Sequence, residues 1–126
     1  AEFAKENFGR ANSFMKDVVI YLDDILESID RIRQYIQGKT VQEFDDDLAA
    51  QDAVARRLEI IGEAVKHLPL SVRKAHSEIP WKQIAGMRDI LIHEYAGVSV
   101  KTIWNTAKKN LTPLQKMIQK IKKEIG

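Results

Sequence analysis

Apolar side chains recur at Val18, Leu22, Ile25, Ile29, Ile32 and Ile36, with spacings that alternate between four and three. At about 3.6 residues per turn such positions line one face of a helix. The pattern therefore predicts a long amphipathic helix from Asp17 onward. Gly38 is placed to end it, because glycine accepts the left-handed conformation common just past a helix. Thr40 and Glu43 have the form of a capping box and predict a short helical turn. The same register returns in Val54, Leu58, Ile61, Val65 and Leu68, and Pro69 closes this second long helix. Gly62 inside it costs about 1 kcal/mol relative to alanine. Its expected use is close approach of a neighbouring helix.

The stretch "LSVRKAHSEIP" reads as a connector with room for one helical turn. Pro80 suits the first turn of a third helix that carries Trp81, Ile84, Met87 and Leu91. Gly97 breaks the pattern, and a fourth helix follows with Val100, Trp104, Ala107, Leu111, Leu114, Ile118, Ile121 and Ile125 on one seam. Thr112, Pro113 and Gln115 resemble a second capping box and predict a kink or restart at that point. No segment alternates with period two. The expected fold is all-α, an antiparallel bundle of four main helices with short connecting helices. The opening "AEFAKENFGRANSF" has no clear helical period, and Met15 follows it directly. Residues 1–14 read as an expression-vector or tag remnant, which leaves 15–126 as a single helical domain.

With 126 residues the chain is long enough to bury one self-sufficient core. Cysteine is absent, which excludes disulfides, thiol nucleophiles and cysteine-ligated zinc. There is no apolar run near the roughly 18 residues of a membrane span and no signal-peptide pattern, so a soluble cytoplasmic protein without a membrane partner is expected. The net charge of +2 is unevenly spread. Acidic residues crowd between Asp23 and Asp52, whereas Lys101, Lys108, Lys109, Lys116, Lys120, Lys122 and Lys123 face only Glu124 beyond residue 100. That basic run fits an anionic partner such as nucleic acid, and it equally fits a solvated lysine face.

The densest chemistry lies in "RDILIHEY", residues 88–95, which holds an arginine, an aspartate, a histidine and a tyrosine around Ile90-Leu91-Ile92. Asp89 and His93, four apart, share a helix face. Arg88 and His93 are about 140° apart on an ideal helix and converge only through the reach of the arginine. Tyr95 joins a pocket with His93 only if the helix unwinds before it. Histidine exchanges protons near neutral pH, and arginine offers a permanent planar cation for phosphate. Asp89 is placed to fix the imidazole tautomer or to hold the arginine. The set suits RNA cleavage by its own 2′-hydroxyl, with Arg88 and His93 catalytic, Asp89 supporting and no metal or cofactor required. A polar helix end fits the same spacing.

Other candidates carry less. Glu63 and His67 are spaced i, i+4 as a metal pair would be, although such pairs commonly decorate a surface. Asp52, Arg56 and Arg57 line a cleft or cap and solvate the second helix. Trp81 and Trp104 sit at seam positions and read as core.

The motif resembles the Arg-x4-His-x-Tyr signature of the HEPN superfamily, specifically its HepT-like toxin branch. "QDAVARRLEIIGEAVKHLP", "IPWKQIAGMRDILIHEYAGV" and "IWNTAKKNLTPLQKMI" follow that family in order and spacing, so the resemblance spans about residues 15–126. It implies a metal-independent RNase toxin of a toxin–antitoxin pair, with Arg88 and His93 as its catalytic residues. It implies that Tyr95 is the tyrosine on which a partner, a minimal nucleotidyltransferase antitoxin, places AMP to silence the toxin. A homodimer with a composite site at the interface is expected, since each chain brings one motif histidine. Lys101, Lys108 and Lys109 become expected RNA contacts. The competing expectation is a noncatalytic subunit that presents a nucleotide or substrate to a nucleotidyltransferase.

Overall fold

The computed structural model describes the backbone of residues 2–125 and the side chains from Lys16 onward. The expected vector origin of residues 1–14 concerns side chains outside the described residues. In order, the elements are α1 (Glu2–Ile36), α2 (Val41–Asp45), α3 (Leu48–His67), α4 (Leu70–Ala75), α5 (Trp81–Glu94), a 3-10 turn (Tyr95–Gly97), α6 (Val100–Asn105), a π turn (Thr106–Asn110) and α7 (Leu111–Ile125). Among the described residues there is no strand, and the all-α expectation holds. Among the described residues no helix is long and apolar enough to cross a membrane.

The apolar stripe of α1 is buried throughout, with Leu22, Ile25, Ile29 and Ile32 fully shielded from solvent. They meet Val54, Leu58, Ile61 and Val65 of α3 and Ile118 and Ile121 of α7 in one core. Helix α3 is central: α1 packs on one side of it and α5 on another, while α7 returns along α1. Truncating a core isoleucine of this kind to alanine costs about 2–5 kcal/mol.

Local signals end the helices where the pattern places them. Gly38 takes a left-handed backbone with φ of +74°. Thr40 and Glu43 form both halves of the capping box of α2. Asp47 caps α3 by accepting from the Ala50 amide, and hydrogen bonds from Lys39 and that amide hold its carboxyl below the usual range. Buried Gln51 donates to the Phe44 and Asp45 carbonyls at 2.9 and 2.8 Å, which pins α2 to the start of α3.

Two expectations need correction. Helix α1 starts well before Asp17, because apolar periodicity reports which face is buried, and the proline-free stretch before it, in which Ala, Glu, Lys and Arg recur, propagates a helix without such a stripe. The last helix is not capped at Thr112. Its irregularity lies earlier, in the π turn at 106–110. Pro113 supplies no amide hydrogen and crowds the carbonyl four residues back, at Lys109, so the wider turn just upstream absorbs the misfit. Thr112 and Gln115 instead accept from Arg33, at 2.9 Å for Thr112, and tie α7 to α1.

Gly62 has the role expected of it. A Cβ there would lie 2.4 Å from the Cβ of Arg88 and 3.1 Å from the Ile84 carbonyl oxygen. Both obstacles are backbone or attached directly to it, so neither swings aside. Gly62→Ala is expected to part α3 from α5 and to destabilise the fold by about 1–3 kcal/mol of overpacking, outweighing the roughly 1 kcal/mol gained in helix propensity. Urea denaturation of the two proteins measures it, and an unchanged midpoint would contradict the close packing.

Candidate active site

The contact at Gly62 sets Arg88 against α3. Its Nε lies 2.9 Å from Glu63 Oε2, and its Nη1 donates to Asp89 Oδ1 at 3.1 Å. Asp89 also accepts from Lys66 Nζ at 2.5 Å. Those two hydrogen bonds, Lys66 first and Arg88 second, hold the Asp89 carboxyl below its ordinary range. Asp89 therefore holds the arginine, one of its two expected roles, and makes no bond to His93.

Glu63 uses its other oxygen as well. Oε1 meets His67 Nε2 at 3.1 Å, and the His67 ring stacks on Tyr21 with centroids 5.0 Å apart and planes 10° from parallel. Glu63 and His67 thus engage each other directly, and no group of three potential metal ligands occurs among the described residues. Tyr21 and Asp24 of α1, Glu59, Glu63 and His67 of α3, and Arg88 of α5 surround a cavity of about 240 Å³. Arg56, Ile60, Ala64 and Ile92 complete its lining, and Arg56 pairs with Glu59 at 3.2 Å. A larger, mostly apolar cavity of about 550 Å³, bounded by residues such as Ile84, Met87 and Leu114, contains no motif residue.

His93 stands apart. It is exposed on the last turn of α5, forms no hydrogen bond among the described residues and does not line the cavity that holds Arg88. The expected convergence of Arg88 on His93 does not occur within one chain, because α3 captures the guanidinium on the other side of the helix. Beside His93 the side chains of Ile90 and Ile92 are 50% and 44% exposed.

The helix does unwind before Tyr95, into the 3-10 turn, but the ring goes elsewhere. Its hydroxyl donates to Asp52 Oδ1 at 2.6 Å, crossing to the first turns of α3. Burial, then Asp52, then Glu59 push the phenol up to about 12. Lys101, Lys108 and Lys109 are exposed on α6 and the π turn, with Lys108 Nζ 4.9 Å from the Trp104 ring centroid. Trp104 is half-buried against Phe44, and Trp81 is core, its indole donating to the Arg73 and His76 carbonyls.

With this geometry in place, comparison with known proteins decides the family. The ribonuclease HepT-like family profile matches residues 25–121. The chain belongs to the HepT-like ribonucleases. It is 43% identical over 103 residues to the "Probable ribonuclease HepT" of Thermococcus cleftensis, covering 82% of this chain and 94% of that one. It is 45% identical over 107 residues to a "Putative RNase" of Caldanaerobacter subterraneus subsp. tengcongensis, covering 85% and 96%. A "Gamma-glutamylcyclotransferase and putative RNase" of Methanocaldococcus jannaschii is 49% identical over 110 residues, 87% of this chain and 50% of that protein. The chain thus spans about half the length of that relative. No solved structure matches it.

Within this HepT-like ribonuclease, Tyr95 provides a spectroscopic handle. Titration followed by phenolate absorbance is expected to show one of its three tyrosines ionising near 12, and Asp52→Asn to bring that step down toward 10. The unfolded phenol ionises near 10, so between those values the folded state holds the extra proton. Stability from this group is complete below about 10 and declines as pH rises toward 12. A Tyr95 step that Asp52→Asn leaves unmoved would exclude the Asp52 contact.

Proposed function

We propose that this chain is the toxin of a toxin–antitoxin pair, a metal-independent endoribonuclease that cleaves RNA by attack of its own 2′-hydroxyl. The observation that carries this reading is Arg88, anchored by Glu63 and Asp89 at a polar cavity, five residues along α5 from the exposed His93. A fixed guanidinium stabilises a phosphorane without reorganising at the moment of reaction. An unpartnered imidazole is free to exchange a proton with the reacting oxygens.

The active form in this reading is a homodimer. Arg88 and His93 lie on different sides of α5, and the exposed Ile90, three residues before His93 and on its face of the helix, is an apolar contact for a second copy. A two-fold contact there places the two motifs side by side. Silencing follows from AMP transfer to Tyr95 by a nucleotidyltransferase antitoxin. The Tyr95 oxygen already lies in a field of carboxylates that disfavours an anion, Asp52 at 2.6 Å and Glu59 nearby. An AMP ester there removes the donated hydrogen and adds a phosphate charge, so the ring leaves Asp52 and bulk enters the site.

Cleavage of an RNA pool in EDTA tests the activity, with intact mass confirming unmodified Tyr95. Wild type is expected to cut. His93→Ala is expected to lose about 10²–10⁴-fold, and Arg88→Ala about 10²–10³-fold. Loss of cutting only on chelation would contradict metal independence. An uncut pool with unmodified Tyr95 would favour the noncatalytic subunit of a nucleotidyltransferase. Light scattering checks assembly separately, and a monomer at working concentration would contradict the composite site.

A further inference from the structure

We infer that His67, outside the Arg-x4-His motif, is the general base of the cleavage reaction, oriented by Glu63. The inference rests on the ribonuclease reading and adds a second proton-transfer group from the same chain.

Geometry carries it. Glu63 uses one oxygen for the imidazole of His67 and the other for the guanidinium of Arg88, so a single carboxylate fixes both groups. Both line the same cavity, which His93 does not. A carboxylate only accepts, so the His67 nitrogen facing it, Nε2, carries the hydrogen. That leaves the lone pair on Nδ1, which forms no hydrogen bond among the described residues. The Tyr21 ring holds the imidazole plane from the side of α1. A histidine with one nitrogen bound to a carboxylate and the other free is the arrangement by which acyl-transfer enzymes orient a base and stabilise the imidazolium it becomes.

Charge balance favours the same direction. The cavity holds three carboxylates, Asp24, Glu59 and Glu63, against the guanidiniums of Arg56 and Arg88, a net −1 while His67 is neutral. A proton taken up by His67 brings that balance to zero just as negative charge accumulates on the phosphorane. The step balances. The 2′-oxygen bonds to phosphorus and its proton passes to His67 Nδ1. The bond from phosphorus to the 5′-oxygen breaks, and that oxygen takes its proton from the His93 of a second copy, which the dimer proposed above brings to the cavity. The products are a 2′,3′-cyclic phosphate and a 5′-hydroxyl, and the two histidines exchange protons with water to reset.

His67→Gln tests the assignment. The amide still donates to Glu63 and the side chain is half exposed at 51%, so the fold and the Arg88 pairing survive, which the thermal midpoint verifies. Cleavage by H67Q is expected to fall about 10²–10⁴-fold. A substrate with sulfur in place of the 5′-bridging oxygen separates base from acid, because a thiolate leaves without protonation. It is expected to restore cutting by His93→Ala and to leave H67Q slow. Wild-type rates in H67Q, or rescue of H67Q by the sulfur substrate, would overturn the assignment of His67 as base while leaving the ribonuclease reading intact. If H67Q fails to fold, His67→Asn is measured in the same way. A wild-type protein that leaves RNA intact would overturn both readings together.

Discussion

Everything in the site depends on two helices meeting without a side chain between them. At Gly62 the Cβ of Arg88 occupies space that any larger residue of α3 would need. That approach brings the base of the arginine onto α3, and the next residue, Glu63, is there to receive its guanidinium. Widening the gap by one methyl group would detach the cation from its anchor. Core packing and site geometry are therefore the same constraint here. A glycine that weakens α3 as an isolated helix is retained in a place where it tightens the folded protein.

Helix α3 carries two stripes. Val54, Leu58, Ile61 and Val65 form the apolar one and build the core. Asp52, Arg56, Glu59, Glu63 and His67 repeat at spacings of four, three, four and four, and they form the other. Along the second stripe Asp52 receives Tyr95, Arg56 pairs with Glu59, and Glu63 joins Arg88 to His67. The apolar stripe reads directly from the sequence because burial discriminates strongly among side chains. The polar stripe does not. Charged residues at helical spacing are usually solvated, and a sequence holds no mark of which ones a second helix will meet. Asp52 and the Glu63–His67 pair were visible as candidates, but Tyr95 and Arg88 reach them only through a tertiary contact.

The same distinction explains the other differences. Signals that act within four residues were legible: Gly38, the Thr40–Glu43 box and the break at Gly97, whereas the unwinding already before Tyr95 stood only as a condition. Pro113 was legible as a disturbance, but its effect moved upstream because a proline perturbs the carbonyl before it rather than the chain after it. Thr112 and Gln115 have the form of a cap, yet Arg33 of α1 competes for the same side-chain oxygens and wins. Arg88 and His93 share a motif by sequence but lie on different sides of α5. Motif membership alone does not place two side chains in one pocket.

On the reading proposed above, an acidic cavity at the centre of an RNA-cleaving site looks unfavourable until ground state and transition state are separated. Long-range attraction of RNA needs cations in water, and in that reading the exposed lysines of α6 and the π turn would provide them without entering the cavity. Arg88 works at short range, where Glu63 and Asp89 have already offset its charge. A ground-state phosphodiester entering a cavity of net −1 gains little there. On the proposed chemistry, the proton that reaches His67 removes that excess as the phosphorane forms. Attraction then appears where it lowers the barrier and not where it would only tighten substrate binding. The carboxylates that seem to oppose the substrate keep the stabilisation of the site in reserve for the transition state.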